Sequence, residues 1–228
     1  MLKTVNNLYA RWPGATVVCI ASGPSLDYGK YSDVDFVRQV HEGGGCRVIV
    51  ANREFKTAPW ADICYMADYR CWLEYIKSYT EIFKGEGWTV DKEAAKRFKL
   101  NHIERAFSEG YSTIPNTINT GQNSGFQMVH LAAYFGASRI VMLGYDMQRT
   151  KGREHHYGRH SGNLANGKGF HEWLPKLKPL LSDLKTYGID VINATRETAI
   201  PDKWARRMTV EEIPWSMDER SQSHARSA

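Results

Sequence analysis

The sequence has no apolar run near the ~18 residues of a membrane-spanning helix, which excludes an integral helical membrane protein. Cysteine is scarce. Cys19, Cys46, Cys64 and Cys71 form no C-x-x-C pair, so a disulfide scaffold is excluded and a reducing compartment is expected. Three of them lie in apolar, strand-like runs, where cysteine behaves as a small core hydrophobe. No long apolar stretch stands behind Met1–Asn7, so the N-terminus reads as mature protein and not as a signal peptide. The expected location is cytoplasmic. G-x-G-x-x-G is missing and no Walker lysine follows the first strand, which argues against a standard dinucleotide site or P-loop. No helix-turn-helix and no aromatic stripe between cations is present, so direct DNA binding is not expected. No internal repeat or long linker divides the chain.

What is present is a core. At 42% hydrophobic and 24% charged residues, the chain has ample material for one, which rules out wholesale disorder. Short β-branched runs recur at residues 16–21, 47–51, 62–67, 139–143 and 189–192. Each ends in a polar turn, as buried parallel strands do. Helical segments are expected at 34–41, 69–79, 92–107, 124–135 and 172–187, the last with an uncertain start because of Pro175 and Pro179. Alternation of this kind predicts an α/β, Rossmann-like, mainly parallel sheet with helices on both faces. Residues 1–215 are expected to form one nucleotide-binding domain, with a helical insertion at about 80–118 and a lid loop at about 147–170. The tail 216–228 lacks aliphatic residues and is expected to be disordered.

Ligands of open parallel sheets bind outside the carboxyl ends of the strands. The residues there are Ser22, Gly23, Pro24 and Ser25 after the first strand, Asn52 after the second, Asp68 after the third, and Gly144 with Asp146 after the fourth. Asn193 and Thr195 follow the last. Any one of these suits a turn or a cap; together they predict a polar rim around one crevice. Asn123, Ser124 and Gly125 open a helix whose free N–H groups favour anions, although an ordinary N-cap reads the same way. The lid loop gathers Arg149, Lys151, Arg153 and Arg159 around His155, His156, Tyr157 and His160. This is either a solvated basic loop or a phosphate site. His156 and His160 are four apart, but Gly158 argues against a helix holding them and no carboxylate or cysteine completes a metal site. General acid–base work suits such histidines better.

Several of these pieces occur together elsewhere. Val18-Cys19-Ile20-Ala21-Ser22-Gly23-Pro24-Ser25-Leu26 resembles the strand-then-G-P-S-L opening of family 42 bacterial sialyltransferases and of the related archaeal hydroxymethylpterin diphosphokinase-like (DUF115) proteins. Asn52, Asn123-Ser124-Gly125 and Leu143-Gly144-Tyr145-Asp146 fall in matching order. His156-Tyr157-Gly158-Arg159-His160-Ser161 is similar to the sialyltransferase H-Y-x-G-H-S segment. The resemblance covers most of residues 16–200, and its closest form is that of small phage- or prophage-encoded members, which would act in a bacterial host cytoplasm.

The resemblance implies a nucleotide-binding domain with a lid, no metal and no bound cofactor, the nucleotide-linked donor being a substrate. Ser22, Gly23, Asn52, Asn123, Ser124, Gly125 and Asp146 would line the nucleotide, Tyr157 would contact the donor phosphate, and His160 would deprotonate the acceptor hydroxyl. Departures remove expected sialyl-donor contacts: Ser22 replaces an asparagine, Gly121 an arginine, Asn123 a threonine and Gln148 a tyrosine. Arg149, Arg153 or Arg159 would then compensate by charge.

The leading reading is therefore a metal-independent glycosyltransferase using a nucleotide-activated donor, with a glycan, a protein or modified DNA as acceptor. A homo-oligomer is compatible with it. The alternatives are a Mg²⁺-dependent diphosphokinase acting on a small alcohol, and a non-catalytic phage nucleotide-binding or morphogenesis module.

Overall fold

The computed structural model describes residues 10–158 and 169–215. Eight strands form one sheet in which every pair is parallel: β1 (Thr16–Ile20), β2 (Arg47–Ala51), β3 (Ile63–Tyr65), β4 (Glu86–Thr89), β5 (Asn101–His102), β8 (Arg139–Leu143), β9 (Asp190–Asn193) and β10 (Arg206–Arg207). Their order is β10-β9-β8-β1-β2-β3-β4-β5. β6 (Glu104–Ala106) and β7 (Thr117–Asn119) make a separate parallel pair. Strands β1, β2, β3 and β8 are buried almost throughout, as a sheet covered on both faces requires.

The chain moves outward from β1 in one direction as far as β5, then returns to the other side of β1 as β8. Between β1 and β8 the connections part in opposite directions. This is the topological switch point, where a crevice opens above the strand ends.

Alternate residues of each strand feed two cores. Val17, Cys19, Ile49 and Met142 pack on α4 (Ser124–Tyr134) and α5 (Phe170–Thr186). Val18, Ile20, Val50 and Leu143 face α1 (Asp33–Glu42), α2 (Tyr69–Ile82) and α3 (Lys92–Phe98). From Gly125 to Tyr134 every residue of α4 is buried. All four cysteines are buried free thiols.

Two expectations change. The 80–118 segment holds four strands and only one short helix, so it extends the main sheet and supplies the small one. The helix expected to reach Phe107 stops at Phe98, because Lys99 takes the left-handed conformation and caps it. Its charge periodicity continued past a backbone turn that periodicity does not register. By contrast, α5 runs straight through Pro175 and Pro179. Each interior proline removes a hydrogen bond and costs up to ~3 kcal/mol, and burial of Trp173, Leu177, Leu180, Leu181 and Leu184 along one face offsets that. The tail 216–228 lies outside the described residues.

Candidate functional site

A cleft of about 410 Å³ opens at the switch point. Ser22 and Gly23 after β1, Asn52 after β2, Asp68 after β3, and Gly144 with Asp146 after β8 all line it. So do Asn123, Ser124 and Gly125 at the start of α4. Nine residues anticipated from strand and helix ends thus share one wall-to-wall site.

The local reasons are specific. Gly23 N–H donates to Gly144 O at 2.8 Å, stitching the turn after β1 to the turn after β8. Neither turn has room for a side chain. A Cβ on Gly23 would lie 2.0 Å from Asp146 Oδ1, and Gly144, at φ 73°, has Ala21 O 2.3 Å from where its Cβ would stand. Asn123 caps α4 by accepting from Phe126 N–H at 3.2 Å. Ser124 and Gly125 keep the unpaired N–H groups of a helix start, with the positive end of the helix dipole, at the cleft. Asn52 takes a left-handed φ of 51°, and its Oδ1 accepts from Ser124 Oγ at 3.5 Å.

Asp146 is 1% exposed. Its carboxylate accepts from Ser25 N–H and Ser25 Oγ, each at 2.9 Å, and from Thr150 Oγ at 2.7 Å. Burial raises its pKa above the usual carboxylate value, and these donors pull it partly back. It is chiefly a brace. Ser25 holds that brace from behind the cleft; Pro24 also stands outside the lining. Asp68 is exposed and makes no capping bond to α2, so its carboxylate faces solvent at the rim.

Residues 154–157 fold against the turn after β1. Ser22 O accepts from His156 N–H at 3.1 Å, and Ser22 Oγ lies 2.8 Å from His155 Nδ1. His155 lines the cleft and stacks on Tyr157 at 5.0 Å and 10°. The guanidinium of Arg53 sits 4.0 Å from the Tyr157 ring. Burial drives the Tyr157 phenol well above its ordinary pKa, with the nearby Glu54 adding to the effect, while a hydrogen bond with Ser22 opposes it. His156 turns away to Glu54, with Nε2 3.0 Å from both carboxylate oxygens.

Some expectations fall elsewhere. Arg149 pairs with Glu154 at 2.6 Å, Arg153 is exposed, and neither lines the cleft. Among the described residues the cleft's cation is Arg105. Asn193 and Thr195 are fully buried: Thr195 Oγ accepts from Tyr145 N–H at 2.8 Å and pins the turn after β8 from behind. The rim therefore ends at β8. Arg159 and His160 lie outside the described residues.

Other cleft residues carried no signal in the sequence. Arg105 lies in β6, a strand that periodicity hid, and Phe107 just after it. Gln127 sits inside an apolar helix, where it donates to Thr120 O at 2.7 Å and accepts from Tyr65 OH at 2.7 Å. Glu54, which stands behind the cleft and not in its lining, was not singled out in the sequence.

The same architecture occurs in a solved enzyme. A structure of the sialyltransferase CstII from Campylobacter jejuni, in complex with a substrate analogue, cytidine-5'-monophosphate, superimposes with a TM-score of 0.54 at 13% identity. The match covers 89% of this chain and 88% of that one. The chain has a sialyltransferase-like fold. No protein-family model and no curated sequence matches it. No helix among the described residues is long and apolar enough to cross a membrane.

Proposed function

We propose that the chain is a transferase that binds a nucleotide-activated sugar in the switch-point cleft and passes the sugar to an acceptor hydroxyl without a metal ion. The observation that carries this reading is the cleft itself: glycine turns allow close approach, an α-helix N-terminus offers free N–H groups, and Asn52, Asp68 and Asn123 surround them. Such a lining suits a phosphate with its ribose, on a fold shared with an enzyme solved with CMP. In this reading Asp68 and Asn52 take ribose hydroxyls. The start of α4 takes the phosphate and stabilises the charge it gains on departure. His160 is the proposed base.

The diphosphokinase alternative needs carboxylates free to hold Mg²⁺. Of the three cleft carboxylates, Asp146 already has three donors and Glu154 pairs with Arg149, which leaves Asp68 alone facing solvent. Among the described residues, no three His, Cys, Asp or Glu side chains cluster as a metal site.

Calorimetry with CMP, CDP, UDP, GDP, ADP and ATP, each with and without Mg²⁺, tests the proposal. Metal-independent binding of CMP or UDP is expected, followed by transfer from the matching sugar conjugate. Binding of ATP only with Mg²⁺ transfers support to the diphosphokinase. No binding at all favours the non-catalytic module.

A further inference from the structure

A second concave surface starts at the end of the sheet opposite the cleft. A cavity of about 570 Å³ opens there, where Trp12 precedes β1 and where Arg47, Ile63 and Glu86 begin β2, β3 and β4. A neighbouring cavity of about 360 Å³ continues along α1, and Trp60 stands between the two, lining both. The surface is basic: Lys30 and Arg38 line one cavity, Arg11, Arg47 and Lys84 the other. Its three carboxylates are already engaged. Glu86 accepts four N–H groups, two from Arg11 at 2.8 and 2.5 Å, one from Trp88 and one from Asn101. Asp62 accepts from Val48 N–H at 2.7 Å and from Arg47 at 3.2 Å, with His41 Nε2 3.1 Å away. Asp35 takes Tyr31 N–H, Arg38 and Gln39. The cations are not all engaged in return. Arg47 gives one N–H to Asp62, while Lys30 and Lys84 are exposed and make no ion pair among the described residues. Aromatic surface is interleaved with this charge. Trp12 and Trp60 are half-buried in the walls, and the Lys30 ammonium lies 4.7 Å from the ring of Tyr31, which is 83% exposed.

We propose that this surface binds a single strand of nucleic acid. Backbone phosphates take the remaining N–H groups of Arg47, Lys84 and Lys30, and a base stacks on the Trp60 indole between the two cavities. Such stacking tolerates any sequence because every base has a π-face. A duplex keeps its bases stacked on one another and offers the indole nothing, and a small inorganic anion would use the cations without the aromatic walls. Along the chain no aromatic stripe stands between cations. Trp12, Lys30, Arg47, Trp60 and Lys84 come together only in the fold, at the starts of the parallel strands and along α1. The inference is independent of the transferase reading, which concerns the opposite end of the sheet.

The test is fluorescence anisotropy of the full chain with labelled oligothymidylate and oligouridylate of about 12 nucleotides. At low salt at least one strand binds, and log K falls against log salt with a slope of about −2, as three neutralised phosphates require. The double variant Arg47→Ala with Lys84→Ala weakens the strand at least tenfold and brings the slope to about −0.7. Trp60→Leu weakens it about tenfold and leaves the slope unchanged. Saturating CMP leaves strand affinity within twofold. Arg47 and Lys84 are exposed, so the double variant decides even where Trp60→Leu fails to fold. The proposal falls if neither strand binds, or if the double variant binds as the native chain does. It falls if CMP displaces the strand, which would put the strand in the cleft. It falls equally if inorganic polyphosphate binds as tightly as the strand and a folded Trp60→Leu weakens neither, which would leave a polyanion patch only.

Discussion

Gly23 and Asp146 occupy one another's space: any side chain on the first would collide with the carboxylate of the second, 2.0 Å from the nearest possible Cβ position. The contact lets the turn after β1 close on the turn after β8, which gives the switch point its floor. Gly23→Ala must push Asp146 off Ser25 and Thr150, and Gly144 O at 2.4 Å blocks the other way out. A loss of about 1–3 kcal/mol in stability is expected from overpacking, read by urea denaturation, together with loss of nucleotide binding by calorimetry. Unchanged stability would mean the two turns are looser than their geometry.

Glu54 and His156 make the second tie across the site. The Glu54 side chain is fully buried and that of His156 is 7% exposed, so each supplies the other with the hydrogen-bond partner that water no longer provides. Their backbones belong to the 3-10 turn Asn52–Lys56 after β2 and to the segment after β8. His156→Ala strands the carboxylate and is expected to cost about 3–5 kcal/mol. Glu54→Gln keeps an acceptor for Nε2–H and should cost less. A double-mutant cycle in urea should give a coupling above about 1 kcal/mol; additive losses would show that the pair does not hold the segment after β8.

His130 makes the fold sensitive to acid. It is buried in α4, with Ser112 N–H 3.1 Å from Nε2 and Asn119 N–H 3.2 Å from Nδ1; the neutral ring accepts at one of these nitrogens, and it packs α4 against the loop before β7 and against β7 itself. Burial lowers its pKa from 6.5 to about 3. Between those values the unfolded chain takes up a proton that the native ring refuses. The stability due to neutral His130 is therefore complete above about pH 6.5 and is lost as pH falls toward 3, by at most ~5 kcal/mol. Denaturation midpoints from pH 7 to 4 should fall more steeply for the native chain than for His130→Gln. Parallel profiles would remove His130 as the cause.

The legible parts of this fold were the ones with local causes. The β-branched runs at 16–20, 47–51 and 139–143 announced themselves because strands buried on both faces are apolar throughout. Their polar ends pointed to the crevice because the parallel sheet places all of them on one edge. Asn123 before α4 carried an N-cap signal. β4 to β7 were hidden because each has two to four residues, too few for alternation to show. Arg105 and Phe107 enter the cleft through those short strands. Glu54 and His156 meet across 102 positions, a partnership that only the tertiary structure creates.

Asn123 provides the most direct test of anion binding at α4. Its Oδ1 accepts the Phe126 N–H, and Ser124 and Gly125 line the cleft at the helix start. Asn123→Ala removes the cap, and a loss of about 1 kcal/mol in stability is expected. Asn123→Asp keeps the cap and adds a negative charge at the helix start, which the dipole favours in the empty protein. The same charge repels a phosphate arriving there. The two variants should therefore separate: Asn123→Asp retains stability but loses at least tenfold in CMP affinity, with the loss shrinking as salt screens the repulsion. Equal affinity of Asn123→Asp and the native chain at low salt would place the phosphate away from α4 and return the basic lid residues as its site.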